Sequence, residues 1–212
     1  MPSAAEYFKF LTALIALLNP IGAVPIFINL TEQQTDVQRR RTARIAAITV
    51  AAVLVVSAFT GNLLLGFFGI SIGAFRVAGG LLILLMALAM LQAKPSPVRH
   101  TAEELQDSAQ RENIAVVPLG IPLLAGPGAI STVILYASHG RGVLEDVLLT
   151  AAILFTAVLV WLCLRLAPYL ARFLGRTGIN VFTRIMGLIM ASIGVEFMAT
   201  GLATLFPHLL GS

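Results

Sequence analysis

Two stretches of this 212-residue chain run without Asp, Glu, Lys or Arg for longer than a bilayer is thick: Ile45 to Phe68, 24 residues, and Ile114 to Gly140, 27 residues. A helix needs roughly 20 apolar residues to cross the hydrocarbon core, and a water-soluble fold has no interior that hides several such runs. Composition agrees: 58% of residues are hydrophobic, 11% are charged and the mean hydropathy is +0.93, whereas soluble domains are roughly half apolar. Hydropathy predicts spans at residues 8–30, 45–68, 70–91, 114–138, 147–170 and 182–206. Lipid offers backbone amides no partner, and alternating strands of roughly ten residues are missing, so the spans are helices. The expected fold class is an all-α integral membrane protein with six transmembrane helices.

Orientation follows from Lys and Arg in the short connections. Those joining spans one to two, three to four and five to six hold Arg39, Arg40, Arg41, Arg44, Lys94, Arg99, Arg111, Arg172 and Arg176, against Lys9 and Arg141 on the other side. Nine against two predicts cytoplasmic placement for those connections and both termini outside. The stretch from Phe10 to Leu18, followed directly by Asn19 and Pro20, reads as the first half of an uncleaved helix. Gly66, Gly69 and Gly73 predict a tight hairpin between spans two and three.

The net charge of +4 would suggest nucleic acid in a soluble protein. Here the basic residues flank helix ends, so membrane lipid is the expected partner and nucleic acid is not. The single cysteine, Cys163, lies in an apolar run and offers no disulfide framework. His100, His139 and His208 are too scattered to suggest a metal site, and HExxH, GxSxG and Walker signatures are absent. Neither an enzyme of those kinds nor a bound cofactor is expected. Residues 92–113, with Pro95 and Pro97, read as a linker between a first unit, 1–91, and a second, 114–212. Within the linker, Thr101-Ala102-Glu103-Glu104 reads as the capping box of a short surface helix.

The two units echo each other. Pro20-Ile-Gly-Ala-Val-Pro25 in span one matches Pro122-Leu-Leu-Ala-Gly-Pro127 in span four, and Arg76-Val-Ala-Gly79 in span three matches Arg184-Ile-Met-Gly187 in span six. Three crossings per unit turn the second copy over, which is the inverted-repeat plan of many secondary transporters. Proline inside a helix removes a donor and clashes with the preceding turn, costing about 3 kcal/mol or more. Two prolines per span, beside Gly22 or beside Gly126 and Gly128, predict broken helices one and four. Unwound backbone at bilayer depth survives only against protein or a water-filled cavity, so Asn19, Pro20, Gly22, Pro25, Pro122, Gly126, Pro127 and Gly128 are the candidate binding segments. The alternative is that the prolines only kink two helices for packing.

Asn19-Pro20-Ile-Gly22-Ala-Val-Pro25-Ile-Phe27, together with Pro118-Leu-Gly-Ile-Pro122-Leu-Leu-Ala-Gly126-Pro127-Gly128-Ala-Ile-Ser131-Thr132, resembles the two signature segments of the MarC family. That bacterial and archaeal family is related to small neutral amino acid transporters of the SnatA type. The resemblance implies a prokaryotic inner-membrane protein carrying glycine- or alanine-like zwitterions, coupled to protons. An exporter of other small metabolites or drugs, or a non-transporting membrane scaffold, are the alternatives.

A zwitterion in such a site needs amides for its carboxylate and carbonyls for its ammonium. Gly126, Pro127 and Gly128 open a helical stretch, with Ser131 and Thr132 adding hydroxyls, so the carboxylate is expected near Gly128 to Ser131. Asn19 either binds substrate or caps the break. Glu196 is the only acid deep in a predicted span; it either carries the coupled proton or forms an ion pair with Arg76, which approaches at similar depth. Gly79-Gly80 can mediate packing within one chain or between chains, which leaves a homo-oligomer open.

Overall fold

In the computed structural model, which describes residues 4–92, 124–138 and 142–207, every regular element is an α-helix. The helices are α1 (Ala4–Leu18), α2 (Val24–Leu30), α3 (Asp36–Phe67), α4 (Ile72–Leu91), α5 (Pro127–Ala137), α6 (Val143–Arg165) and α7 (Ala167–Leu205). Among the described residues, four stretches are long and apolar enough to cross a membrane: α3, α4, α6 and the part of α7 from Thr177 to Leu205. Span one is made of two shorter pieces, α1 and α2, and the described part of span four is α5. The expected linker beyond Gln92, including Thr101 and Glu104, and the residues preceding Leu124 lie outside the described residues.

Helix ends follow local chemistry. At the start of α3, Thr35 Oγ1 accepts from the Gln38 amide at 3.4 Å, and Gln38 Oε1 accepts from the Thr35 amide at 2.9 Å. This reciprocal cap begins the helix at Asp36, nine residues before the expected span, and puts Arg39, Arg40, Arg41 and Arg44 on helix rather than loop. At its other end Gly69 takes φ 65°, the Ile70 amide donates to Leu65 O at 2.9 Å and the Gly69 amide to Gly66 O at 3.2 Å. That left-handed stop turns the chain straight into α4, whose cap is Ser71. The connection between spans five and six is also helical: residues 167–174 continue α7 backwards to a joint at Gly175 (φ 60°, ψ −179°). Pro168 lies in the first turn of α7, where it costs no hydrogen bond.

The most extensive packing among the described helices is between α4 and α7, which run antiparallel. Gly73 faces Gly201, Gly80 faces Gly194 and Ala87 faces Gly187, so each step of seven residues along α4 is matched by seven back along α7. A β-carbon on Gly80 would fall 2.6 Å from Gly194 O. Small residues at this repeat let two backbones touch, and dispersion contacts between them replace the hydrophobic drive that lipid removes. The other pairings come in matched sets. Helix α3 lies on α6; α3 also meets α5 as α6 meets α1; α4 meets α5 as α7 meets α1 and α2. Outward faces carry exposed apolar side chains, among them Phe59, Leu63, Leu85, Phe155 and Leu188.

Candidate functional site

The chain leaves helical geometry at the first proline pair. Pro20 has no amide to give Ala16 O, and Asn19 takes φ 42°, a left-handed conformation that costs an L-residue about 1–2 kcal/mol. Its side chain offsets part of this: Asn19 Oδ1 accepts from the Gly22 amide at 3.2 Å. Asn19 O accepts from the Ala23 amide at 3.2 Å and Ile21 O from the Val24 amide at 3.1 Å, after which α2 begins with Pro25 in its first turn. Asn19 is buried and its acceptor is spent on the backbone, so it caps the break. Gly22 is required here, because a β-carbon would run into the Asn19 amide group.

The second proline-glycine segment lies beside the first. Leu124, Ala125 and Gly126 are not α-helical, and α5 starts at Pro127 with Gly126 as its cap (φ −75°, ψ 171°). The next amides, Gly128 and Ala129, have no carbonyl of their own helix to reach. Helix α1 packs on α5, and Leu17, two residues before Asn19, approaches the open face of Gly128. That face is filled: a β-carbon on Gly128 would stand 3.0 Å from Ile83, 3.3 Å from Leu17 and 3.5 Å from Met86. Ser131 sits against Gly79, whose β-carbon would come 2.9 Å from that of Ser131, while Thr132 Oγ1 donates to Gly128 O at 2.8 Å. Thus Gly128, Ser131 and Thr132 are buried among apolar neighbours.

Open space lies further along the same helices. A pocket of about 590 Å³ is lined by the start of α1 (Glu6, Tyr7, Lys9), Arg76 on α4, Leu135 to Ala137 at the end of α5, Glu145 and Asp146 at the start of α6, and Glu196, Phe197 and Thr200 on α7. Four carboxylates and two cations therefore share one chamber, of the size that holds small molecules (roughly 300–1,000 Å³). Its inner wall is set by Tyr136, whose ring lies 4.5 Å from that of the fully buried Phe10 at an interplanar angle of 45°. Tyr136 is within electrostatic reach of Arg76 and Glu6. Eight residues separate Tyr136 from Gly128, about 12 Å of helix, so the aromatic pair stands between the chamber and the interruptions. Glu145 also closes its own helix start, accepting from the Gly142 amide at 2.9 Å.

The fold thus gathers the expected residues into two groups. Asn19, Pro20, Gly22, Gly126, Pro127, Gly128, Ser131 and Thr132 belong to the interrupted segments. Arg76 and Glu196 share the chamber, where Glu196 is exposed and makes no ion pair among the described residues. Pro25 is exposed, and Pro122 lies outside the described residues. Sequence reasoning missed Glu6, Tyr7, Lys9, Tyr136, Glu145 and Asp146. Their common signal was position, since all sit at helix ends that orientation places on one side.

Helices whose outer faces present Phe59, Leu63 and Phe155 while polar groups close inward are built to rest in lipid, and the class is that of a multi-pass integral membrane protein. Residues 4–206 match the MarC family integral membrane protein. The chain belongs to the MarC family. It is 44% identical over 204 residues to the UPF0056 membrane protein YhcE of Escherichia coli (strain K12), covering 96% of this chain and 95% of that protein. It is 42% identical, with the same coverage, to the UPF0056 membrane protein BU267 of Buchnera aphidicola subsp. Acyrthosiphon pisum (strain APS). To the UPF0056 membrane protein YvbG of Bacillus subtilis (strain 168) it is 38% identical, covering 93% and 94%. No solved structure matches the chain.

Proposed function

We propose that this protein is a secondary transporter of small neutral amino acids, proton-coupled through Glu196 and built as two inverted three-helix repeats in a prokaryotic inner membrane. The observation that carries the reading is the break in span one packed against the start of α5, beneath a chamber of mixed charge. Unwound segments at depth are costly to keep, and a scaffold has no use for two of them. The matched pairings of α3 with α5 and α6 with α1, and of α4 with α5 and α7 with α1 and α2, support the inverted repeat.

In this reading the conformation described is one with the chamber open and the interruptions sealed by Phe10, Tyr136, Leu17, Ile83 and Met86. Substrate enters as a zwitterion, its carboxylate attracted by Arg76 and Lys9 and its ammonium by the carboxylates. Rearrangement of the seal then admits it to the orphan amides of α5. Glu196, exposed to the chamber and outside any ion pair among the described residues, is the carrier of the proton. The positive-inside rule assigns the chamber to the outer face, with both termini there.

Labelled glycine or alanine flux into proteoliposomes, with and without an imposed pH gradient, tests the proposal. Accumulation that follows the gradient and is competed by unlabelled small amino acids is expected. Flux equal to that of protein-free vesicles would sink it.

A further inference from the structure

The opposite end of the bundle carries a second pocket that the transport reading does not use. It has a volume of about 250 Å³ and lies between the start of α3 (Asp36, Arg39, Arg40), the end of α6 (Leu164, Arg165) and the start of α7 (Pro168, Tyr169, Arg172). Helix α6 runs from one pocket to the other, with Asp146 and Arg165 about 28 Å apart along its axis.

Two parts of the chain that are distant in sequence, the start of α3 and the corner between α6 and α7, deliver four guanidinium groups to this one concavity, against a single carboxylate. That carboxylate, Asp36, is largely in solvent, with 87% of its side chain exposed, and among the described residues it reaches only Arg39, at 3.7 Å. Arg39 is also tethered by a 3.2 Å bond to Thr31 O, and its Nε is buried without a hydrogen-bond partner among the described residues. Arg40, Arg165 and Arg172 make no ion pair among the described residues. Four arginines gathered around one exposed carboxylate repel one another, so the arrangement is suited to an anion that they share. Guanidinium forks match the oxygens of a phosphate in particular.

The surroundings say where that phosphate comes from. Arg165 lies over the Trp161 ring, 5.1 Å from its centroid. Tyr169 is 70% exposed and Phe173, one turn on, is 88% exposed. Aromatic side chains at a spanning helix's end mark the headgroup level of a bilayer, and the short helix 167–174 is held there by the joint at Gly175. An ion in the pocket would thus have water on one side and acyl chains on the other.

We propose that this pocket binds a phosphate group, presented by the headgroup of an anionic phospholipid. Basic pockets between helices at a membrane surface gain about 1 kcal/mol per arginine from such headgroups, or roughly fivefold in affinity each.

The test measures thermal unfolding of the full chain in neutral detergent, titrated with phosphatidylglycerol, phosphatidylcholine or inorganic phosphate. Phosphatidylglycerol is expected to raise the midpoint saturably and phosphatidylcholine to leave it unmoved. In Arg40→Gln/Arg165→Gln/Arg172→Gln the concentration for half-maximal effect should rise about a hundredfold, three arginines at roughly fivefold each. The charge-matched Arg41→Gln/Arg44→Gln/Arg184→Gln removes three exposed arginines outside the pocket and should respond as wild type. Arg172→Gln alone, at an exposed position, should show about a fivefold weakening and serves if the triple variant does not fold. Protection by inorganic phosphate equal to that by phosphatidylglycerol supports the phosphate site with a free anion as its source. Equal protection by phosphatidylcholine overturns the proposal, as does an unchanged response in both pocket variants or an equal loss in the control.

Discussion

Gly80 and Gly194 face each other so closely that a β-carbon on Gly80 would stand 2.6 Å from Gly194 O, and one on Gly194 2.8 Å from Gly80 O. Neither obstacle is a side chain that can swing aside. Gly80→Ala is therefore expected to destabilise by about 1–3 kcal/mol through overpacking. Gly66→Ala, in a helical turn with nothing within 4 Å of the new methyl, should be neutral or stabilise by about 0.5–1 kcal/mol. Unfolding midpoints of the two variants in the same detergent check the contrast, and equal effects would contradict the seam.

Asn19 combines a left-handed backbone with a side-chain cap on Gly22. Asn19→Gly loses the cap and keeps the conformation; Asn19→Ala loses both. Alanine should be the worse by about 1–2 kcal/mol. If unfolding measurements rank the two the other way, the break does not have this geometry.

Tyr136→Phe keeps the ring contact with Phe10 and removes only the hydroxyl at the chamber wall. The apparent KM for substrate should rise about three- to tenfold, the worth of one hydrogen bond. Phe10→Ala, by contrast, empties a fully buried site and should cost about 3–5 kcal/mol. Flux and unfolding curves recorded on matched amounts of protein separate the two effects.

Glu196→Gln should abolish accumulation driven by a pH gradient and retain exchange of labelled for unlabelled substrate. Simultaneous loss of exchange and of thermal stability would mean that the carboxylate is structural. Counterflow in proteoliposomes, read beside an unfolding curve, decides between them.

Gly128 and the proline pairs show what one-dimensional reading reaches. Pro20 and Gly22 told where span one would break, because a missing donor and a missing β-carbon act locally. Nothing local told that Ile83 and Met86, on a different helix, would cover Gly128; a valine there would disturb packing whether or not substrate ever touches it. The chamber was legible only in part for a similar reason. Arg76 and Glu196 could be matched in depth, but Glu6 and Glu145 are far from both in sequence, and each reads alone as an ordinary helix-end charge. The glycines of α4 and α7 were visible as small residues, but Gly79-Gly80 left partner and chain undecided. Three-dimensional pairing gives Gly79 to Ser131 and Gly80 to Gly194, both within one chain.

Helices α4 and α7 meet carbonyl to glycine over four turns, which makes them one broad strut. Parting them would leave two bare strips of backbone facing hydrocarbon, so any movement that opens the molecule must swing the other helices around this pair. The strut takes one member from each half of the sequence. What stays still is thus shared equally by the two halves, and so is what moves.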